Sequence, residues 1–378
     1  MRRGLLSLAW GSAQAGASLT LASSAWLVSG LSPSPLVNSL LPVLATATAL
    51  VPLPQRPLLG TVLQMGATLL LVGVGLLGKN PAGSGGAGIP WALPLALLAV
   101  LLFGLGLQLA QLPLQRFLVG SQGLSMRRLR SGSDLGALLG HLLTALLFPI
   151  GKAVLQFSQA LVLLLPVLPA ALLSRRAGQP TPTAMVSAAV VPSSPGALNW
   201  RCCLQGLLFG SLFGLLPLWV RQEGAGNCFD FGMLLTAYGL GRLLAASWPA
   251  FPLPFPSALA SPWWLSLLRG GAYLLLAVLL AATQWLPGWS SLALFLPMGA
   301  LAGCSDARLA ASLDNLADEP MRWQTLERSS GVGALAGSVL MGGAAQAFGL
   351  PVALPLQVLG FVAAALPLSR PSPSPGRA

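Results

Sequence analysis

Four stretches of this chain contain no Asp, Glu, Lys or Arg: Gly4 to Gln55, Asn80 to Gln115, Gly270 to Ser305 and Ser329 to Ser369, of 52, 36, 36 and 41 residues. A soluble domain needs charge to cover its surface. Charged residues make up about 25% of an ordinary one, against 7% here with 55% hydrophobic residues. A helix crosses the hydrocarbon core of a bilayer with roughly 20 apolar residues, so each stretch holds one or two crossings. Backbone groups in lipid must be satisfied internally, which leaves helices or closed barrels. Runs such as LPLALLAVLLFGLGLQLA (93–110) lack the period-two alternation of a barrel strand and read as helices. A water-soluble enzyme, a disordered chain and a disulfide scaffold are excluded on the same grounds.

Turn residues divide the chain into twelve spans: 5–29, 35–53, 58–78, 91–112, 134–150, 153–173, 200–220, 229–250, 263–283, 289–313, 326–348 and 351–368. Most breaks are short, such as LSPSP (31–35) and GLP (349–351). Residues 174–199 instead form a Pro/Ser/Thr-rich linker. The predicted fold class is an all-α polytopic membrane protein, with one six-helix bundle over 1–173 and a second over 200–378. Arg2 and Arg3 followed by LLSLAW imitate the start of a signal peptide, but apolar sequence continues to Val28 and a second span follows. This segment therefore reads as the first membrane helix.

The net charge of +12 finds its explanation in topology. With twelve spans, both termini share one face, and 16 of the 20 basic residues lie at or beside it. Lys79, Lys152 and Arg221 fall opposite, and Arg308 falls within a span. Basic loops stay cytoplasmic, so the termini and the central linker are expected in the cytoplasm, with the protein in a bacterial inner membrane. The basic residues occupy short loops without interleaved aromatics, so no nucleic-acid partner is expected. The expected partners are a small-molecule substrate, the lipid bilayer and protons.

Cys202, Cys203, Cys228 and Cys304 have neither disulfide-framework nor metal-ligand spacing, and one histidine leaves no zinc ligand set. No cofactor is expected. No Walker loop, HExxH or GxSxG element is present. Asp314 and Asp318 stand one helical turn apart, as in a magnesium–pyrophosphate motif, but a lone acidic pair reads as a solvated loop. Trp10, Trp26, Trp91, Trp200, Trp219, Trp285 and Trp289 fall near span ends, as an aromatic belt would.

An internal repeat is visible. LRSGSDLGALLG (129–140) and LERSSGVGALAG (326–337) share six of twelve positions at an offset of 197, and they open spans five and eleven. A weaker match at offset 199 aligns Arg2, Leu5, Leu8, Gly11 and Ser12 with Arg201, Leu204, Leu207, Gly210 and Ser211. Six plus six helices, a long linker and related halves resemble the major facilitator superfamily, with the best local likeness in AYGLGR (237–242) and ERSSGVGALAGSVLMGG (327–343). The family's Gly-x-x-x-Asp-Arg-x-Gly-Arg type loop between helices 2 and 3 is altered. The chain reads ALVPLPQRPLLG (49–60) there, keeping basic Arg56 but no acid. The resemblance implies two bundles rocking about a central cavity, with helices 1, 4, 7 and 10 around it.

Polar residues inside spans are costly and are functional candidates. Gln108, Gln111 and Gln115, spaced 3 and 4 apart, share a face of helix 4, and Gln14 and Ser18 pair at i, i+4 in helix 1. With Tyr238 and Arg308 they form the candidate substrate cavity; interhelical amide contacts are the alternative. Asp306, two residues from Arg308, needs a partner on another helix, Arg242 or Arg128. It reads either as a proton-coupling carboxylate or as one arm of a static ion pair at the gate. His141 and Asp134, seven apart on helix 5, and Arg242, four after Tyr238, complete the coupling or gating candidates. The expected function is secondary transport of a small neutral or hydrophobic molecule by alternating access, with no enzymatic activity. A non-transporting scaffold of the same fold is the alternative.

Overall fold

The computed structural model describes residues 2–47, 56–77, 91–121, 124–150, 153–177, 198–247, 262–286, 289–313 and 319–369. The 174–199 linker lies mostly outside these residues. The helix 2–3 loop up to Gln55, the Asp314–Asp318 pair and Lys152 lie wholly outside them.

Among the described residues there are twelve helical segments and no strand. The first six are α1 (Arg2–Leu31), α2 (Pro35–Ala47), α3 (Pro57–Leu77), α4 (Ala92–Arg116), α5 (Met126–Ile150) and α6. Helix α6 runs Ala153–Leu164, tightens through a 3₁₀ turn at Leu165–Val167 and continues over Leu168–Ala177. The second six are α7 (Trp200–Gln222), α8 (Cys228–Ser247), α9 (Pro262–Ala282), α10 (Trp289–Ala311), α11 (Glu319–Phe348) and α12 (Leu350–Ser369). Seven of them are long and apolar enough to cross a bilayer. Helices α2, α3 and α9 begin with proline, whose missing N–H is an orphan at that position anyway. Asn199 caps α7, its side-chain oxygen accepting from the backbone N–H of Arg201 at 3.0 Å and Cys202 at 3.4 Å. Gly349, at φ 92°, makes the tight joint between α11 and α12.

Two helix starts differ from the sequence reading by seven residues or more, and both matter for function. Helix α5 begins at Met126 rather than 134, and α11 at Glu319 rather than 326. Their first turns are charged, so hydropathy starts too late. Ser125 accepts from the N–H of Arg128 at 3.4 Å, and Leu129 and Leu326 are buried, which anchors each added segment.

Within the first half, α1 packs on α5 and α6, α3 on α4 and α6, and α2 on α4. The second half repeats this with α7 on α11, α8 on α10 and α9 on α12. The halves meet through α5 with α8 and α2 with α11, a pair of contacts exchanged by the same six-helix shift. Small residues bring backbones together at each seam. Gly136 faces Gly11 and Gln14, and Gly140 faces Ala15 and Ser18. Gly333 faces Cys203 and Leu207, and Gly337 faces Leu207. These contacts make α1 parallel to α5 and α7 parallel to α11. The antiparallel α5–α8 seam, Leu138 beside Gly239 and Ala145 beside Gly232, fixes the remaining directions. Arg2 and Ser369, the first and last described residues, therefore lie on one face, here the termini face.

The contacts of Gly136 and Gly333 also revise the weaker repeat. Residues 11 and 15 on α1 correspond to 203 and 207 on α7, an offset of 192 rather than 199. The two alignments differ by seven residues, two helical turns, so the residues matched in sequence share a helix face but do not occupy equivalent contacts.

Trp10 does not belong to an aromatic belt. It is 2% exposed, and its indole N–H donates to Ser133 Oγ at 2.8 Å. Trp91, Trp200 and Trp285 are exposed near helix ends, as expected.

Candidate functional site

A cavity of about 620 Å³ opens between the two halves. Its walls repeat. Six of the seven α5 residues on its wall, Met126, Leu129, Arg130, Ser133, Asp134 and Ala137, have counterparts in Trp323, Leu326, Glu327, Ser330, Gly331 and Ala334 of α11, which line it too. Each α11 position is its α5 counterpart plus 197. The repeat read in the sequence is thus the structural equivalence of the two long walls. It substitutes Glu327 for Arg130, so opposite charges stand at equivalent places.

Charge concentrates toward the termini face. Arg242 on α8 holds Asp306 of α10 at 2.9 Å and approaches Asp134 of α5 at 3.8 Å. Arg130 approaches Asp306 at 3.8 Å from the other half, and its guanidinium lies 3.3 Å from the Trp323 ring centre. Gln205 of α7 donates its amide N–H to Asp306 Oδ1 and accepts from the Tyr273 hydroxyl at 2.8 Å. Two of these ion pairs, Arg130–Asp306 and Asp134–Arg242, tie one half to the other. Three carboxylates, Asp134, Asp306 and Glu327, face two guanidiniums, and Glu327 has no ion pair among the described residues. Removing one member of such a half-buried cluster leaves its partner uncompensated, which costs more than the pair itself contributes.

The rest of the wall is neutral. Gln14 and, near the end of α4, Gln111 and Gln115 supply amides, and Phe209 and Phe213 supply rings. Phe213 meets Tyr238 edge-on at 4.8 Å between ring centres, and the Tyr238 side chain is hydrogen-bonded to Arg242. His141 also lines the cavity, and its Nδ1 is buried with no hydrogen-bond partner among the described residues.

Of the residues singled out in the sequence, Gln14, Gln111, Gln115, Tyr238, Arg242, His141, Asp134 and Asp306 border this cavity. Three do not. Ser18 packs against Gly140 in the α1–α5 seam. Gln108, one turn before Gln111, is not among the lining residues. Arg308 lines a separate cleft with Ser305 and Ser312. The stripe of residues 305, 308 and 312 shares one face as expected, but two residues is about 200° of helix, so Asp306 takes the cavity side and Arg308 the opposite one. Asp306 does pair with Arg242, one of the two partners expected; its second guanidinium is Arg130 rather than Arg128.

Arg130, Gln205, Trp323 and Glu327 were not singled out. The i, i+4 spacings Arg130–Asp134 and Trp323–Glu327, taken with the repeat, place all of these but Gln205 on the cavity face.

The opposite face is closed. Arg221, at the end of α7, donates to Ser29 Oγ at 3.3 Å and to the Trp26 carbonyl at 3.2 Å, and its guanidinium lies 4.1 Å from the Trp26 ring centre. Trp26 stacks on Phe231 at 5.8 Å. Gly232 against Ala145 and Gly342 against Ser39 bring the two seams together at the same level. Among the described residues no cluster could hold a metal ion, and all four cysteines are free.

No protein-family model matches the chain, and no curated protein matches it. Solved structures do. An alanine mutant of the nucleoside transporter NupG is 13% identical, with 96% of this chain and 97% of that one covered at a TM-score of 0.57. Another NupG structure is 11% identical over 96% and 95%, with a TM-score of 0.52. The human organic anion transporter MFSD10 (TETRAN) is 15% identical over 98% and 99%, with a TM-score of 0.52. The chain has the major facilitator superfamily fold and is an integral membrane protein.

Proposed function

We propose that this protein is a secondary transporter that moves a small organic molecule across the membrane by alternating access. The observation behind this reading is the cavity between two related halves, closed at one face and bridged near the other by Arg130–Asp306 and Asp134–Arg242. A pair of bundles so joined can exchange which face is open by breaking one set of contacts and making the other. A scaffold would have no use for charged groups lining a cavity between its halves, since such groups within a membrane-spanning bundle are costly. The basic excess beside the termini face makes that face cytoplasmic, so the closed face is external and the chain rests with its cavity toward the cytoplasm.

The charges favour a substrate class. Both guanidiniums are engaged by carboxylates, and the surplus is acidic, so an organic anion finds no available cation here. The amides and rings on the wall suit a neutral, ring-bearing molecule with several hydrogen-bonding groups. Nucleosides head the panel, because a transporter for them shares this fold. Proton coupling is assigned to Glu327, the carboxylate without an ion pair among the described residues, and Asp306 to the gate.

The test is uptake into proteoliposomes, under an imposed proton gradient, over nucleosides, neutral aromatic amides and aromatic carboxylates. Saturable uptake of a neutral compound, lost in Asp306→Asn, is expected. Absence of flux for every class, with intact fold by circular dichroism, favours the scaffold. Uptake by Glu327→Gln that stays proton-driven refutes the coupling assignment.

A further inference from the structure

His141 is the only histidine in the chain, and it has no part in the gate or the coupling described above. It stands on α5 fifteen residues beyond Met126, roughly 22 Å from the start of the helix at the termini face and roughly 10 Å beyond Asp134. One turn further, Ala145 meets Gly232 and the seam between the halves is shut. His141 therefore lines the blind end of the central cavity. Phe213, thirteen residues into α7, lies at a similar depth, and its ring meets that of Tyr238. Gly239, the next residue of α8, has the imidazole beside it: a Cβ there would lie 3.8 Å from His141 Cδ2.

The Tyr238 side chain is engaged by Arg242, so at this end Tyr238 and Phe213 act as ring walls. No carboxylate pairs with His141 among the described residues. An imidazolium here would be an uncompensated charge, and the ring is neutral. A neutral imidazole carries one N–H and one lone pair, and the bond made by one nitrogen ordinarily decides which of the two the other presents. Nδ1 makes no such bond: it is buried with no partner among the described residues. With Nδ1 enclosed and Cδ2 against Gly239, the tip of the ring, Cε1 and Nε2, is the part the cavity reaches. No hydrogen bond at Nδ1 then fixes whether Nε2 donates or accepts. The equivalent residue of the second half is different. Ser338, 197 positions on, commits its hydroxyl to the Gly210 carbonyl at 2.9 Å.

We propose that His141 reads the edge of the substrate's ring. A planar, neutral heteroaromatic ring enters the blind end beside Phe213 and Tyr238, and an edge nitrogen hydrogen-bonds Nε2, donating to it or accepting from it. The proposal rests on the transport reading only in taking the ligand of this cavity as the transported molecule. An unfixed tautomer gives the site breadth. An accepting ring edge meets Nε2–H. A donating edge meets the bare lone pair, with the imidazole proton on Nδ1, and no bond to the protein is broken in changing between them. A ring with neither group leaves the imidazole unsatisfied.

The experiment uses the full chain in detergent, purified without a histidine tag and isotope-labelled only at the histidine ring nitrogens, so that one pair of signals reports His141. Two matched pairs of neutral probes differ at one edge atom. Nicotinamide has a ring-nitrogen acceptor that benzamide lacks, and uridine has an imide N–H that N-methylation removes. Nicotinamide is expected to bind about tenfold more tightly than benzamide, and uridine about tenfold more tightly than its methylated analogue. Nicotinamide should draw the signals toward the Nε2–H tautomer and uridine toward the Nδ1–H tautomer. In His141→Phe both pairs should bind equally, and His141→Gln, whose amide donates and accepts, should restore the preferences in part. Equal affinities within either wild-type pair, absence of binding included, or preferences unchanged in His141→Phe, overturn the site. One and the same tautomer with nicotinamide and with uridine overturns the unfixed proton. Binding is read without transport. Preferences without proteoliposome flux therefore refute the transport reading and leave the site, and flux without preferences does the reverse.

Discussion

Arg221 is the main polar tie across the closed face, and its removal has a calculable effect. The side chain reaches from α7 to α1, donating to Ser29 Oγ and to the Trp26 carbonyl and covering the Trp26 ring. All three contacts belong only to the state closed at this face. A hydrogen bond involving a charged group contributes about 1.5–3 kcal/mol when well formed and shielded. At 3.2–3.3 Å and half-buried, each is better set near 0.5 kcal/mol. The guanidinium–indole contact adds about 0.5–1 kcal/mol at such a site. Arg221→Ala should therefore weaken the closed state by about 1.5–2 kcal/mol, a population shift of roughly 10- to 30-fold toward opening. Spin labels at Leu36 and Trp285, on opposite halves at this face, in a background without the native cysteines, report the distance between halves. The expected result is a new, longer component that grows in Arg221→Ala and to a smaller degree in Arg221→Lys, which keeps charge but loses the planar face. Unchanged distance distributions in the alanine variant, with Tm lowered by the same amount, would falsify the latch and make Arg221 a purely structural residue.

Three further outcomes follow from the packing. Gly136→Leu drives a side chain into Gly11 and Gln14 and should cost about 1–3 kcal/mol, lowering Tm by several degrees; Leu135→Ala, one residue away and exposed, is the control. Gly349→Ala, at φ 92°, should cost about 1 kcal/mol, read by thermal unfolding. Asp134→Asn removes one inter-half ion pair but leaves Arg242 on Asp306, so uptake should fall less than in Asp306→Asn, where Arg242 and Arg130 both lose a partner.

Charge scarcity made most of the fold legible. With so few charged side chains, every run without them announces a helix, and the twelve spans fall on the twelve helical segments. The same scarcity hid part of the site. Arg130 and Glu327 stand just outside the apolar runs, where charge ordinarily means a solvated loop, so only the helical phase and the repeat could place them indoors. Gln205 is one amide in a leucine-rich helix, and nothing local marks it; its importance comes from Asp306 and Tyr273, which lie far away in sequence. Arg308 failed for a different reason. Hydropathy says that a charge lies in a span but not on which side of the helix, and the neighbouring Asp306 takes the side that matters.

The placement of the two seams amplifies movement at one end of the molecule. Gly232 against Ala145 and Gly342 against Ser39 are the tight points, both within about two turns of the closed end. A line through them is a natural pivot. Arg242 lies ten residues from Gly232, a lever arm of roughly 15 Å. A rotation of about 10°, modest for a rigid-body transition, swings its end by roughly 2.5 Å. That displacement carries Arg242 from 3.8 Å to beyond ion-pairing reach of Asp134, while at the pivot the same rotation is absorbed by side-chain slack. Displacement is thus greatest where the charges sit and nearly vanishes where the glycines do.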